Sequence, residues 1–436
     1  MQMTKRHFLA SSASAMGLAG LGCESRDGGA SSLEKAASSV FSVSKEKTAA
    51  GAARNFLAQA QPISLDERLS RVAKAQRLMQ EGGVAALVLE PGASLDYFTG
   101  VSWWRSERFT GAILPADGEI AFVTPAFEEP SVRESMTFGD DVRVWQEHED
   151  PFALVAGVLA DRGLQGGAVA IEETVRRFIS DGVAEAAPNF SLVSGVSIVR
   201  GCRMIKSSAE LSLMQTANDI TLDAYKSIFG AIEAGMTPDD AKALMNEATA
   251  ARGGRVKFAG ALFGEASAYP HGTKTPQVLK EGDMILMDCG CSVYGYQSDI
   301  SRSWVLGEPT RKQRSVWKTV KEGQELVLET AQIGAPAGAI DDAVRAYYET
   351  QGFGPGYRTP GLSHRVGHGI GMDVHEQINF VRGEATPLQP GMCLSNEPGI
   401  YIFGEFGVRL EDCLYMTDDG PRLFTDFSPS IDAPFG

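Results

Sequence analysis

MILMDCGCSVYGYQSDISRSW, residues 284–304, places two acids inside what otherwise reads as a core β-hairpin. Met284 to Met287 is an apolar run of strand length that ends on Asp288; a glycine-containing turn follows, and Asp299 leads into ISRSW. Carboxylates are rarely buried without a partner. Either salt bridges supply the positive charge, with Arg302 nearest to hand, or a metal ion does.

The surrounding chain is large enough to build a site around that hairpin. Its 436 residues exceed one ordinary domain, and 43% hydrophobic residues can fill substantial cores. Net charge is -15, from 55 acids against 40 bases, and no Lys/Arg block interrupts the balance. That argues against nucleic acid or an anionic membrane as partner. The six cysteines lack zinc-knuckle spacing; Cys289 and Cys291 flank a glycine and would share one face of a strand. A disulfide framework is not expected at this density.

Outward from the hairpin, the chain divides by composition. Residues 1–23 read as an export signal: Lys5-Arg6-His7-Phe8-Leu9 precedes a short, weakly apolar stretch ending at Cys23. It is too short to span a membrane. The pattern is similar to a twin-arginine signal and places the chain in the periplasm; Gly20-Leu21-Gly22-Cys23 resembles a degraded lipoprotein box, making Cys23 a candidate lipid anchor. A disordered cytosolic leader is the plain alternative. Residues 24–60, rich in Gly, Ala and Ser, read as a linker with room for a short covering helix.

Residues 61–200 alternate helix and strand, as an α/β domain does. Ser64 starts a helix with an apolar stripe through Leu65, Leu69, Val72, Ala75 and Met79, stopped by Gly82-Gly83. Val84–Leu89 is a buried strand, Ala112–Pro115 and Ile120–Thr124 form a hairpin, and Val142–Trp145 and Gly167–Ile171 are further strands. Residues 92–100 with Trp103-Trp104-Arg105 read as a polar-aromatic loop, its tryptophans serving either as core or subunit contacts or as a substrate lid. The second domain, residues 201–436, opens with a helix capped by Ser207 or Ser208; Thr237-Pro238 starts another. Residues 311–331 and 339–350 are also helical, and no dinucleotide or phosphate-cradling glycine loop occurs.

Three later stretches repeat the oddity of the first. His364, His368 and His375 lie among glycines in GLSHRVGHGIGMDVHE; Glu397 follows an apolar approach in LSNEPG; Glu411 lies in the strand-like GVRLED beside Arg409. Each has a plain reading: a hydrogen-bonded loop histidine, a turn cap, an ion pair with Arg409. With Asp288 and Asp299 they supply four carboxylates and an imidazole, a donor set suited to divalent ions such as Mn²⁺.

The order and local context of these residues resemble metallopeptidase family M24, the family of Xaa-Pro dipeptidase (prolidase), Xaa-Pro aminopeptidase and methionine aminopeptidase. Asp288 and Asp299, eleven positions apart in DCGCSVYGYQSD, match its paired aspartates. His368 of GHG, Glu397 of NEPG and Glu411 of RxED match its remaining ligands. RMIKSSAEL at 203–211, His271 in AYPHG, and YFTG at 97–100 extend the likeness to the prolidase and aminopeptidase P branch.

The resemblance implies an α/β (α+β) chain: a creatinase-like N-terminal α/β domain and a C-terminal pita-bread metallopeptidase domain. It implies two divalent metal ions, Mn²⁺ first and Co²⁺ or Zn²⁺ as alternatives, held by Asp288, Asp299, His368, Glu397 and Glu411. Glu397 would be the general base; His271, His364 and His375 would meet the developing oxyanion or the proline nitrogen, and Arg409 either the substrate carboxylate or Glu411. The implied substrates are small proline-containing peptides, and the implied assembly is a homodimer or homotetramer. The leading expectation is Xaa-Pro dipeptidase. Xaa-Pro aminopeptidase, a sulfonio-propionate lyase or other non-peptidase activity on the same fold, and a non-catalytic binding protein are the alternatives.

Overall fold

The structure, a computed structural model, describes residues 54–436. The basic leader, Cys23 and most of the 24–60 linker lie outside the described residues. The linker's described end holds one 3₁₀ turn, Leu57–Gln59, and its Phe56 amide bonds Arg252 O at 3.2 Å.

Eleven elements follow: α1 Leu65–Glu81, β1 Val84–Leu89, α2 Ala93–Thr99, β2 Gly111–Pro115, β3 Ala121–Pro125, α3 Glu129–Ser135, β4 Val142–Trp145, α4 Pro151–Asp161, β5 Gly167–Ile171, α5 Arg177–Ala186 and β6 Phe190–Ser194. Their strands form one mixed sheet, ordered β4-β3-β2-β1-β5-β6. Every residue of β2 and β3 is buried, because helices cover both faces of the sheet. Leu87, Leu89 and Leu114 point to one core, Val88, Ile113 and Val123 to the other. Each such side chain contributes about 1.5–3 kcal/mol.

Two expectations for this part are corrected. Residues 93–99 are a short helix, not a loop: Leu95, Tyr97 and Phe98 are buried, and Gly100, at φ 79°, closes the helix in the left-handed conformation. The stripe of α1 is also rotated. Leu65 and Leu69 are 45% and 44% exposed, whereas Arg71 is buried, stacked 4.1 Å over Tyr97 and bonded to Glu67 and the Tyr296 hydroxyl. A guanidinium with those partners replaces an apolar residue on the inward face.

The remainder comprises α6 Val196–Arg203, α7 Ser208–Ile228, α8 Pro238–Ala251, β7 Arg255–Phe263, β8 Met284–Val293, β9 Tyr296–Gln297, β10 Ile300–Val305, α9 Arg311–Thr330, α10 Ala337–Thr350, β11 Gly367–Gly369, β12 Glu376–Phe380, β13 Cys393–Asn396, β14 Gly399–Ile402, β15 Phe406–Arg409, β16 Asp412–Thr417 and β17 Gly420–Leu423. Ser207 and Thr237 cap α7 and α8 with full capping boxes. One antiparallel sheet runs β10-β8-β7 with β9 on β8, another β12-β11-β13-β16-β17, and β14 pairs β15. Met287, Cys289 and Ile300 turn toward Ala224 and Tyr225 of α7. The opposite face of β8 and β10 therefore carries Asp288 and Ser301, which are paired in register.

The opening hairpin turns at Tyr294-Gly295, both at positive φ (46° and 89°). Gly290 is required by a close approach: a Cβ there would lie 2.3 Å from Ser298 O. That approach brings Asp299 alongside β8. Arg302, the nearest candidate for a salt bridge to the two aspartates, instead pairs with Asp412 at 2.7 Å, both fully buried, and donates to Glu411 O at 2.8 Å. The five cysteines of the described residues are buried free thiols.

Candidate metal centre

Asp299, His368 and Glu411 each offer a ligand atom, and these atoms all lie within 4.8 Å of one another. Three different segments deliver them. Asp299 leaves the break between β9 and β10. Glu411 lies between β15 and β16, where its amide bonds Ser301 O at 3.0 Å and its carbonyl accepts from Arg302. His368 is the centre of β11, flanked by glycines that admit close neighbours: a Cβ on Gly367 would lie 2.1 Å from Ser395 O.

Hydrogen bonds set the histidine tautomer. His368 Nδ1 lies 3.0 Å from Gly369 O, which can only accept, so Nδ1 carries the proton. The lone pair of Nε2 then faces Asp299 Oδ2 at 3.6 Å and Glu397 Oε1 at 3.3 Å. Burial, with His375 beside it, holds the imidazole neutral. A neutral imidazole with its second nitrogen anchored is the form that binds metal.

The acids are crowded. Burial, then Glu411, Asp288 and Glu397, raise the Asp299 carboxyl well above its ordinary range; burial, then Glu397 and Asp288, do the same for Glu411. Glu397 is pushed up to about 7, chiefly by burial. Asp288 Oδ1, Asp299 Oδ1 and Glu411 Oε1 are buried without a hydrogen-bond partner. Such orphaned oxygens are costly unless a cation satisfies them. The oxygen-rich donor set fits a divalent cation.

Of the remaining expected residues, Asp288 is not one of the three clustered ligands but neighbours Asp299 and Glu411, and its Oδ2 lies 2.5 Å from Arg409. Arg409 is also committed to Ser301 Oγ (3.0 Å), Pro270 O (3.1 Å) and the Tyr401 hydroxyl (3.3 Å), with Glu411 at 3.8 Å. Of its two expected roles, the geometry supports orienting the acids. His364 donates from Nδ1 to Arg365 O, so its Nε2 accepts from the Tyr401 hydroxyl at 2.7 Å. Burial, together with the Arg409 charge, brings His364 down to about 3.

His271 and His375 are exposed and line two different cavities. One, of about 960 Å³, joins His271 to Asp288 and Arg409. The other, of about 540 Å³, joins His375 and Arg365 to Glu172 and Arg203. The His375 ring meets that of His368 edge-on at 4.3 Å. Sequence reasoning gave Tyr401, Ser301, Ser395 and Arg365 no role. Tyr401 lies in an apolar strand and carries no local motif, but RVGH at 365–368 put Arg365 next to the site in plain view.

Comparison with known proteins bears on this centre. The model of metallopeptidase family M24 matches residues 212–418, and that of the creatinase/prolidase N-terminal domain matches residues 71–205. The chain is 31% identical over 355 residues to a probable dipeptidase PepE of Mycobacterium tuberculosis, covering 80% of this chain and 92% of that protein. It is 30% identical over 359 residues to an Xaa-Pro dipeptidase of Lactobacillus helveticus, covering 81% and 95%. Its fold is similar to the crystal structure of dipeptidase PepE from Mycobacterium ulcerans, with TM-score 0.78 and 30% identity over 84% of this chain and 97% of that one.

Proposed function

The chain belongs to metallopeptidase family M24, and from that premise we propose that it hydrolyses the peptide bond before proline in Xaa-Pro dipeptides. The observation that carries the reading is the cluster of Asp299, His368 and Glu411 with its unpartnered carboxylate oxygens. Xaa-Pro aminopeptidase activity is the second reading, because the 960 Å³ cavity beside Asp288 has room for more than two residues.

Asp299, His368 and Glu411 would hold one divalent ion, and Asp288 with Glu397 would complete a site for two, with Mn²⁺ the best fit to the donor set. A bound ion of this kind supplies a Lewis acid and a water acidified toward neutral pH. Glu397, 3.3 Å from His368, is placed to take a proton from water and pass it to the leaving nitrogen. His271 and His375 have free ring nitrogens to meet the substrate carbonyl oxygen as it gains charge. His364, with both nitrogens committed, orders Tyr401 instead.

The leader motif and Cys23 support export and lipid attachment, and fractionation of cells producing the tagged full chain tests both. Trp103 and Trp104 stack at 4.4 Å with Trp104 61% exposed, which supports a subunit contact there. Sedimentation of the wild type against Trp104→Ser tests that contact. Hydrolysis of Ala-Pro against Ala-Pro-Ala, with Mn²⁺ added, tests the substrate class: cleavage of the tripeptide favours the aminopeptidase.

A further inference from the structure

Next to the segments that carry Glu397 and Glu411 lies a buried polar cluster that the proposed reaction does not use. Arg302, Gln324, Asn396 and Asp412 are each 0% exposed and come from β10, α9, β13 and β16. Their surroundings are apolar: Val320 and Val327 of α9, Leu394 of β13 and Leu414 of β16 belong to one hydrophobic core.

One set of bonds ties the four together. Asp412 accepts from Arg302 on Oδ1 at 2.7 Å, from the Thr425 hydroxyl on the same oxygen at 2.7 Å, and from the Gln324 side-chain amide on Oδ2 at 2.9 Å. The Asn396 side-chain amide donates to Gln324 O at 2.9 Å. Arg302 also donates to the carbonyls of Ser301 at 3.1 Å, Glu411 at 2.8 Å and Asp426 at 3.2 Å.

Such a cluster is poorly suited to adding stability. A buried ion pair offsets its desolvation only when its remaining donors and acceptors are satisfied, and apolar side chains of similar volume often serve the fold as well or better. Here Arg302 Nε, Gln324 Oε1 and Asn396 Oδ1 are buried without a hydrogen-bond partner. What the cluster does provide is directional restraint, and the restraint falls on ligand-bearing segments. Asn396 and Asp412 are opposed in register, and the next residues beyond that pair are Glu397 on one strand and Glu411 on the other. Gln324 bonds both members of the pair, one through its side chain and one through its backbone. Arg302 holds the Glu411 carbonyl, while its neighbour Ser301 donates to Glu411 Oε2 at 2.7 Å.

We propose that Arg302, Gln324, Asn396 and Asp412 are positioning residues that set the spacing of Glu397 and Glu411, and that they serve metal affinity rather than stability. The proposal rests on the metal-centre reading above. Buried acids of like charge repel one another, so the backbone must fix their spacing before an ion arrives. A glutamine that grips both strands one residue from the two acids does this without bonding either carboxylate.

The test replaces the polar cluster by apolar side chains of similar size in the triple variant Arg302→Met, Asp412→Leu, Gln324→Leu, and removes one grip alone in Gln324→Met. Mn²⁺ binding to the metal-free full chain is measured by calorimetry, with the melting temperature in chelator read beside it. The triple variant is expected to melt close to the wild type or above it, and to bind Mn²⁺ about 10- to 100-fold more weakly. Gln324→Met is expected to fall between the two in affinity. Wild-type Mn²⁺ affinity in the folded triple variant overturns the proposal, and so does wild-type affinity in Gln324→Met where the triple variant does not fold. Absence of Mn²⁺ binding by the wild type instead removes the metal-centre reading, and the proposal with it.

Discussion

Arg409 and Asp288 meet at 2.5 Å, one partner 4% and the other 28% exposed, and this contact engages one oxygen of an aspartate whose other oxygen is buried and unpartnered. The same guanidinium reaches Ser301, Tyr401 and the neighbourhood of Glu411. Arg409→Met is expected to lower metal affinity or kcat/KM by about 10- to 100-fold, the usual effect of losing a group that orients ligands. Metal titration alongside kinetics checks this; unchanged values for both would show that Arg409 orients nothing.

Glu411→Gln separates fold from site. The side chain is almost fully buried among like charges, and its carboxyl is raised by burial, Glu397 and Asp288. Removing one charge relieves that repulsion, so the metal-free variant is expected to melt at or above the wild-type temperature while binding metal far more weakly. Calorimetry with and without Mn²⁺ reads both. A variant that melts lower without metal would assign Glu411 a structural role.

Stability of the metal-free protein should pass through a maximum near pH 6.5. His364, at about 3, and His368 and His375, both depressed mainly by burial, contribute stability that is lost as pH falls below the unfolded histidine value of about 6.5. Glu397 has the opposite sign. Its value of about 7 lies above that of an unfolded glutamate, so its stabilising contribution is complete at low pH and disappears as pH rises through 7. Melting temperatures from pH 5 to 8.5 with chelator should trace both limbs; Asp299 and Glu411, also raised by burial and like charge, share the alkaline one, so Glu397→Gln should reduce it without removing it. An alkaline limb unchanged in that variant would contradict the assignment.

Glu376 anchors the His375 loop. It pairs with Arg203 at 2.5 Å and Lys206 at 3.0 Å and accepts from the amides of Met372 and Asp373. Burial acts to raise its carboxyl, but Lys206 and Arg203 outweigh burial and bring it down to about 2. Glu376→Gln leaves two cations under-compensated and is expected to cost about 3–5 kcal/mol in urea unfolding. The stability Glu376 provides is present above the unfolded value of about 4.3 and is lost as pH falls toward 2. A loss below 1 kcal/mol, an amount typical of exposed pairs, would contradict this burial.

Much of this was legible along the chain because strands and ligands carry local signals. The apolar run that ends on Asp288, the turn at Tyr294-Gly295 and the glycines around His368 each express a local backbone requirement. What was hidden depends on contacts between distant segments. Leu65 and Leu69 looked inward until the burial of Arg71 against Tyr97 and Tyr296 rotated the helix. Gly92 and Gly100 suggested a loop, although the residues between them bury a helical face. Arg302 is close in sequence to Asp299 but pairs with Asp412, a hundred and ten residues away. Tyr401 gains its place only because β14 folds beside His364.

The most direct test of the central claim is release of free proline from Ala-Pro by the purified full chain loaded with Mn²⁺, run beside Glu411→Gln at matched protein and metal concentrations. The metal-centre account predicts release by the wild type, its loss on chelation with recovery on returning Mn²⁺, and no detectable release by the variant. Wild-type rates in Glu411→Gln, or no release by the wild type with Mn²⁺, Co²⁺ or Zn²⁺, would contradict it.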